Sequence, residues 1–325
     1  MLQSALVLVF ALAGIGAAIF AGMIVFGTSE PPPSLNSVAA AFDKIDFSDL
    51  PSTGKLPARG GGTIAFRHWD TRPASGRETL VIAIHGASGS GISLHPLAKA
   101  LAAQGLQVYA PDIRGHGETG RRGDIDYTGQ LDDDLEDFVT STQRQHPGAR
   151  TVLLGLSAGG GYALHAAASR NGSLFERAVL LAPMLGAHAP TFRKEARAWA
   201  RPFIPRYIAI SILKRFGIHA LDGLPVIAFA IDPARAHLLA GTYSLRLLRA
   251  FATRNYVRDL KQARIPLHIL VGAEDELFDA EQFEPAVHAV QPDISVTVIP
   301  GVNHMGMIAD ARAVPAIAEA LRTRC

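Results

Sequence analysis

Short apolar runs alternate with amphipathic stretches along most of the chain. Residues 80–84 and 151–154 are apolar and rich in branched side chains, as expected of strands that are covered on both faces of a parallel sheet. Residues 131–143 carry apolar side chains at helical spacing among acidic ones, which predicts an amphipathic helix. Further strands are predicted at 63–69, 107–111, 178–181, 267–271 and 295–299. Strands alternating with helices indicate an α/β fold with a mostly parallel, doubly covered sheet.

The first apolar run is much longer than the others. Residues 2–26 contain no charged side chain, and at about 1.5 Å per residue they would span roughly 37 Å as a helix, more than the ~30 Å of a bilayer core. We therefore expect an N-terminal transmembrane helix within an anchor at 1–27, followed by a linker at 28–58. The chain would then be a single-pass membrane protein with the bulk of the protein on the non-cytoplasmic side.

Two alternatives to the anchor remain open. A cleaved secretory signal would have a basic start and a shorter apolar core, but the first Lys or Arg is Lys44. A buried core helix would need a polar face, and the run shows none.

Composition and charge narrow the classes of function. Of 325 residues, 48% are hydrophobic and 18% charged, which excludes disorder over most of the chain. A net charge of +2 is too small to indicate a nucleic-acid partner. The single cysteine, Cys325, allows neither an intramolecular disulfide nor a cysteine-based metal site, and no His-Glu-x-x-His motif suggests a catalytic metal.

A G-x-S-x-G motif centred on Ser157 lies between the strand predicted at 151–154 and a helix predicted to continue from Tyr162. Strand, tight turn and helix form the context that an exposed nucleophilic serine requires. The alternative is a glycine-rich turn in which the serine only caps the helix.

Two further candidates follow later predicted strands, Asp275 after the first and His304 after the second. Carboxyl ends of parallel strands meet at one edge of a sheet, so Ser157, Asp275 and His304 should converge. A serine hydroxyl needs a base to remove its proton, and histidine titrates in the right range. Asp275 would orient that histidine; Asp279 in the same loop is the alternative acid. We expect the neighbouring Glu274 and Glu276 to face solvent.

These residues resemble a known family. The chain is similar to the α/β-hydrolase superfamily, nearest its monoacylglycerol lipase/lysophospholipase and serine-aminopeptidase-like branch, over roughly residues 60–183 and 260–325. The motifs that carry the resemblance are His85-Gly86, Asp112-x-Arg114-Gly115-His116-Gly117, Gly155-Leu156-Ser157-Ala158-Gly159-Gly160, Gly272-x-x-Asp275 and Asn303-His304. Glu118-Thr119 departs from the family pattern in a structural loop.

The resemblance implies a division of the chain and an oxyanion hole. The hydrolase core would comprise 59–184 and 259–325, with a helical cap or lid inserted at 185–258. Backbone N–H groups of Ala87 and Ala158 would bind the oxyanion, and no cofactor or metal is implied. We also expect the acidic run at 132–134 to be a solvated helix face.

The predicted cap is strongly basic. Residues 191–258 contain 12 Lys or Arg against three Asp or Glu, interleaved with aromatic and aliphatic side chains. One interpretation is an amphipathic lid that lies on anionic lipid and admits an acyl chain. The other is an ordinary cap whose cations are solvated or paired with acids of the core.

Together these expectations describe a membrane-anchored serine hydrolase that cleaves esters, monoacylglycerols or lysolipids above all, through an acyl-enzyme. Its partners would be a small-molecule ester or lipid and a membrane, reached by the N-terminal helix and the basic cap, and no nucleic acid. An acyltransferase, a peptidase or a non-lipid esterase on the same three residues is the alternative within enzymes. A non-catalytic binding protein with this fold is the alternative outside them.

Overall fold

The computed structural model describes residues 2–35, 43, 45–71 and 77–323, with side chains described from Phe10 onward except at positions 13 and 195. Cys325 lies outside the described residues. The strands found there are β1 (Gly54–Pro57), β2 (Thr63–Trp69), β3 (Thr79–Ile84), β4 (Gln107–Pro111), β5 (Arg150–Leu156), β6 (Arg177–Leu181), β7 (Ala200–Pro202), β8 (Pro225–Phe229), β9 (Thr242–Ser244), β10 (Leu267–Gly272) and β11 (Ser295–Ile299).

Eight of these strands form one sheet in the order β1-β2-β4-β3-β5-β6-β10-β11. The pairs from β4 onward are parallel, whereas β1–β2 and β2–β4 are antiparallel. Every residue of β3, β4, β5 and β6 is buried. Since successive side chains point to opposite faces, complete burial means that both faces are covered. The predicted α/β fold with a mostly parallel, doubly covered sheet is confirmed.

Helices join the parallel strands, as crossovers require. The helix predicted at 131–143 is found at Gln130–Gln145. The α-helices whose bounds the structure describes are α1 (Leu2–Phe26), α2 (His95–Ala102), α3 (Gln130–Gln145), α4 (Ala158–Ala168), α5 (Ile204–Arg215), α6 (Leu245–Ala250), α7 (Tyr256–Gln262), α8 (Phe283–His288), α9 (Gly306–Ala309) and α10 (Val314–Arg322). Helix α4 begins directly after β5 and carries Gly159, Gly160 and Gly161 in its first turns, which lets it pack closely on the strands.

Helix α1 ends against α5. The Arg206 guanidinium donates from Nε to the carbonyl oxygen of Ile24 at 2.7 Å and from Nη2 to that of Val25 at 3.0 Å. These bonds satisfy carbonyl groups that a helix leaves unpaired at its C-terminal end. The following residue, Gly27, is buried against Pro205 and Arg206.

The predicted membrane anchor is not supported. No helix within the described part of the chain is both long and apolar enough to cross a membrane. The C-terminal end of α1 lies instead against the cap, where the Arg206 guanidinium binds its last carbonyl groups. The expectation of a single-pass membrane protein with its catalytic domain on the non-cytoplasmic side is thus contradicted.

The segment between β6 and β10, the predicted cap, contains both strands and helices. Strands β7, β8 and β9 form a separate antiparallel sheet, and α5 and α6 accompany it. A cap of helices alone was expected, so this part of the prediction is corrected. The short strands contain Pro202 and Pro225 and only three to five residues each, too few to show a two-residue alternation in the sequence.

Candidate active site

Ser157 occupies the turn between β5 and α4. Its backbone has φ 55° and ψ −116°, a conformation that is strained for any residue other than glycine. A Cβ atom on Gly159 would lie 2.6 Å from the Ile84 carbonyl oxygen and closer still to that of His85. A side chain at Gly155 would similarly collide with the backbone of Gly159. A strained serine between two glycines at a strand-to-helix turn has the geometry that a nucleophile elbow requires.

Asp275 and His304 form a buried hydrogen-bonded pair. His304 Nδ1 lies 2.8 Å from Asp275 Oδ2, and both side chains are almost fully buried. The other carboxylate oxygen of Asp275 accepts from the backbone N–H groups of Leu277 and Phe278, each at 2.8 Å. The carboxylate is therefore held in one orientation and fixes the imidazole in turn.

Glu276 approaches His304 from its backbone side. Its Oε2 accepts from the His304 backbone N–H at 3.1 Å, while its Oε1 is buried without a hydrogen-bond partner among the described residues. The expectation that Glu276 faces solvent is therefore wrong, whereas Glu274 is exposed. The chain turns sharply after β10, and this turn carries Glu276 under the loop that contains His304.

The environment of His304 favours its charged form. Burial disfavours the imidazolium, but the Asp275 carboxylate, through charge and hydrogen bond, and the charge of Glu276 outweigh burial. The pKa of His304 is raised above its ordinary value as a result. A histidine of this kind stabilises the proton that it would receive from a serine hydroxyl.

Asp279, the alternative acid, is placed differently. Its side chain accepts from the backbone N–H of Glu281 at the start of a short 3₁₀ turn, Ala280–Gln282, and lies 3.6 Å from Arg193. The structure thus joins Asp275, not Asp279, to His304.

Ser157 and His304 meet at one cavity of about 520 Å³, which both residues line. Within the described residues no hydrogen bond joins the Ser157 hydroxyl to His304 Nε2. Such contacts are commonly loose in ligand-free sites and tighten when substrate binds.

The cavity wall comes from three parts of the chain. Most of its lining is apolar, which suits a hydrocarbon chain. Trp199 and Ile231 come from the cap, Leu156 and Leu277 from the core, and Phe47 and Leu50 from the predicted linker. The contribution of the linker was missed, although its isolated apolar residues are a weak sequence signal.

Ala87 and Ala158 flank the serine. Ala158 is the first residue of α4, and Ala87 lines the cavity next to Gly86, where an added Cβ would lie 3.5 Å from Ser157 Cβ. Neither backbone N–H donates to an acceptor within the described residues, so both are available to an oxyanion.

The loops around the site are braced by buried polar side chains. His85 Nε2 accepts from the Ile113 backbone N–H at 3.1 Å, so its Nδ1 carries the proton that is donated to the Gly86 carbonyl oxygen at 2.8 Å. Arg114 forms a bidentate pair with Asp134 at 2.6 and 2.9 Å. Both partners are buried, so the expectation of a solvated face at 132–134 is wrong for Asp134.

The described residues contain no group of three or more His, Cys, Asp or Glu side chains arranged to hold a metal ion. The three converging groups are a serine, a histidine and an aspartate. This set of side chains can carry out proton transfer and nucleophilic attack.

Comparisons with known proteins agree with this geometry. The sequence model of the family described as serine aminopeptidase, S33 matches residues 76–310. The human monoglyceride lipase is 29% identical over 259 residues, which are 77% of this chain and 80% of that protein. The monoacylglycerol lipase of Mycolicibacterium smegmatis is 27% identical over 75% of this chain and 87% of its own length.

Among solved structures, a soluble variant of the monoglyceride lipase from Saccharomyces cerevisiae superposes with a TM-score of 0.61 at 19% identity. The match covers 84% of this chain and 94% of the yeast chain, and it shows a shared fold. The family match spans most of the chain and includes all three converging residues. The chain therefore belongs to the serine aminopeptidase S33 family, in the monoacylglycerol lipase and lysophospholipase branch of the α/β-hydrolases, and is a serine ester hydrolase.

Proposed function

We propose that the protein hydrolyses esters of medium or long acyl chains, such as monoacylglycerols or lysophospholipids, through an acyl-enzyme on Ser157. The observation that carries the proposal is the largely apolar cavity of about 520 Å³ lined by Ser157 and His304. The names of the human and mycobacterial relatives support the same substrate class. The chemistry is assigned to a core of residues 59–184 and 259–325, and substrate access to a cap at 185–258.

In the first half of the reaction, the Ser157 oxygen attacks the ester carbonyl carbon while its proton passes to His304 Nε2. The carbonyl electron pair moves onto the oxygen, which accepts hydrogen bonds from the Ala87 and Ala158 N–H groups. Each such donor contributes about 2.7–4 kcal/mol to stabilisation of the transition state. Asp275 stabilises the imidazolium, and collapse of the adduct releases the alcohol with the proton from His304.

In the second half, water takes the place of the alcohol. His304 removes a proton from water as it attacks the acyl carbonyl, and the same two N–H groups bind the new oxyanion. Collapse breaks the bond to the Ser157 oxygen, which recovers a proton from His304 and releases a carboxylic acid. His304 acts alternately as base and acid. The negative charges of Asp275 and Glu276, which raise its pKa, stabilise the protonated form between the two transfers.

The first experiment is labelling with a fluorophosphonate probe, with wild type compared to Ser157→Ala. We expect label on the wild type and none on the variant. A folded wild type that stays unlabelled would favour a non-catalytic binding protein instead.

A series of p-nitrophenyl esters from two to sixteen carbons then tests the substrate class. An apolar cavity predicts that kcat/KM rises with chain length by roughly tenfold per two buried methylenes until the cavity is filled. A preference for acetate or butyrate would point to a non-lipid esterase. Transfer of the acyl group to added glycerol in preference to water would point to an acyltransferase.

A peptidase acting on free amino termini is the second candidate, since the family description names that activity. It would need an acidic group to bind the substrate amine. Asp43 and Asp232 line the cavity, but both lie against the guanidinium of Arg235, with which Asp43 forms a close ion pair. The guanidinium therefore already compensates the charge of both carboxylates, which disfavours binding of a substrate ammonium group there. We expect no release of p-nitroaniline from amino-acid anilides.

The cap supplies a surface that fits a lipid interface. Helix α5 exposes Ile204, Ile208, Ile212 and, just beyond its end, Phe216 at four-residue spacing, so the side chains form one stripe. Some cap cations are paired, such as Arg246 with Asp124 of the core. We assign to this stripe and its cationic surroundings contact with an anionic lipid surface that holds the substrate.

Vesicle binding tests the stripe. Wild type should sediment with phosphatidylcholine vesicles that contain phosphatidylglycerol, and less so as salt is raised. Ile208→Ser combined with Phe216→Ser should abolish binding, while Val298→Ser, an exposed apolar residue outside the cap, should leave it intact. If the wild type does not bind at low salt, the stripe does not contact lipid and the cap is an ordinary one whose cations are solvated or paired.

A further inference from the structure

We propose that the cap holds the oxyanion loop, residues 86–89, in its working conformation through Tyr243. This inference rests on the proposed function, because Ala87 of that loop is the oxyanion donor assigned above. Tyr243 is a positioning residue in this account: it acts on the reaction through Ser88, the neighbour of Ala87, and does not contact the substrate.

Three hydrogen bonds join Ser88 to the cap. Its backbone N–H donates to the Tyr243 hydroxyl at 2.7 Å, and its own hydroxyl donates to the Ala240 carbonyl oxygen at 2.7 Å. The Ala240 backbone N–H donates in return to the Ser88 carbonyl oxygen at 2.9 Å. All three residues are buried, so each bond is shielded from competition by water.

Tyr243 is itself held by His116. The His116 Nδ1–H donates to the Ile113 carbonyl oxygen at 3.1 Å, which leaves Nε2 as an acceptor for the Tyr243 hydroxyl proton at 2.5 Å. Burial, with the neighbouring His85, lowers the pKa of His116 well below its usual value, so the ring is neutral and able to accept. The Tyr243 oxygen is therefore free to accept the Ser88 N–H.

Two chains of hydrogen bonds connect the oxyanion loop to the backbone of Ile113 in the core, one from Gly86 and one from Ser88. His85 links Gly86 to the Ile113 N–H, and His116 with Tyr243 links Ser88 to the Ile113 carbonyl oxygen. Ala87 lies between the two clamped residues. The Ala87 N–H lies in the same peptide plane as the Gly86 carbonyl that His85 holds, and the next peptide plane carries the Ser88 N–H that Tyr243 holds. Both peptide planes that meet at the Ala87 Cα atom are therefore restrained.

The clamp on Ser88 opposes local strain. Ser88 has φ 63°, in the left-handed region that disfavours residues with a Cβ atom. Such a conformation persists only where surrounding contacts over-determine it. Loss of the Tyr243 hydroxyl would leave the Ser88 N–H unpaired and let the loop relax, which moves the Ala87 N–H away from the oxyanion.

The test variant is Tyr243→Phe, assayed by steady-state hydrolysis of a medium-chain p-nitrophenyl ester. We expect kcat to fall by about ten- to a hundredfold, since one oxyanion donor is misplaced. KM should change by less than about threefold, because the acyl cavity is untouched and Tyr243 does not line it.

Affinity for a trifluoromethyl ketone of the same chain length is the second readout. This inhibitor forms a tetrahedral adduct with an oxyanion, so its affinity should fall in proportion to kcat/KM. Binding of the matching fatty alcohol, which forms no oxyanion, should stay unchanged. A variant that is merely less well folded would lose both affinities alike.

The matched control is Tyr207→Phe, the same change in cap helix α5 at a hydroxyl with no hydrogen bond in the described structure; kcat should stay at the wild-type level. Ser88→Ala, which keeps the backbone bond to Tyr243, should lose less activity than Tyr243→Phe.

If Tyr243→Phe is folded and retains full kcat and ketone affinity, the proposal is overturned while the serine chemistry stands. A wild type that fluorophosphonate does not label would overturn the proposed function itself.

Discussion

At the scale of single residues, the acid that serves His304 is distinguished by its contacts. Asp275 lies 2.8 Å from His304 Nδ1, whereas Asp279 caps a short 3₁₀ turn. We predict that Asp275→Asn lowers kcat by about 10³- to 10⁴-fold, because an amide in that place favours the wrong tautomer of the imidazole. Asp279→Asn should lower kcat by less than about tenfold. Steady-state assays of the two variants decide the matter, and equal losses would contradict the assignment.

A second prediction concerns pH. Only neutral His304 can accept the serine proton, so kcat/KM should rise with pH through the pKa of His304, which lies above the ordinary value. The negative charge of Glu276 is one of the causes that raise the pKa of His304. In Glu276→Gln the negative charge is lost, the imidazolium becomes less stable, and the acid limb of the profile should move to lower pH.

The control for this shift is Glu274→Gln, an exposed neighbour of the same original charge. Its pH profile should match that of the wild type. A profile of Glu276→Gln that coincides with both would mean that Glu276 only orders the loop.

Residue types and their spacing were enough to select Ser157, Asp275 and His304, because each follows a recognisable strand. They were not enough for Glu276 or Asp134, both expected in solvent. The sequence does not show which cation or N–H group will lie next to an acidic side chain in the folded protein. Those partners, the His304 backbone for Glu276 and the Arg114 guanidinium for Asp134, are brought by separate loops.

At the scale of elements, the junction of β5 and α4 tolerates no added bulk. We predict that Gly159→Ala destabilises the fold by about 1–3 kcal/mol, because its Cβ would meet backbone oxygens that cannot rotate away. Thermal unfolding and fluorophosphonate labelling should both report the loss. Gly22→Ala in α1, where nothing lies within 4 Å of the added atom, is the control and should lower neither.

Seven of the eight strands of the main sheet were predicted, because most of them are apolar runs that end in a turn. Strand β1, Gly54–Pro57, was missed because it lies within the expected linker and is too short to show a pattern. The strands of the cap were not predicted either, because three residues such as Thr242–Ser244 cannot display a period. The basic and aromatic composition of the cap could be read from the sequence. Which of its cations are paired and which are free on the surface depends on the core acids that lie opposite, as Asp124 does for Arg246.

At the scale of the whole molecule, the substrate cavity is an assembly of three segments. Phe47 lies outside the span of the family match, yet it lines the cavity, and its ring lies 5.9 Å from that of His95 on the core. His95 also accepts from Trp69 and lies 3.0 Å from Asp49, which ties residues 45–50 to the domain. This segment therefore behaves as part of the hydrolase domain.

We predict that Phe47→Ala lengthens the acyl chain at which kcat/KM is greatest by roughly two to four carbons, since removal of a ring opens space for added methylenes. Fluorophosphonate labelling should be unchanged. Val298→Ala, at an apolar residue that is 44% exposed and does not line the cavity, should leave the chain-length profile as it is. An unaltered profile in Phe47→Ala would exclude the segment from acyl binding.

The sequence by itself determined most of the sheet, the tight turn at Ser157 and the three converging residues, because these depend on short-range requirements. A buried strand must be apolar, a tight turn must lack side chains, and parallel strands must end at one edge. Contacts between distant segments leave no such trace. Tyr243 bonds Ser88 across 155 positions, and only the packed chain brings them together. The tertiary structure alone therefore decided how the cap, the segment before the core and the oxyanion loop combine into one site.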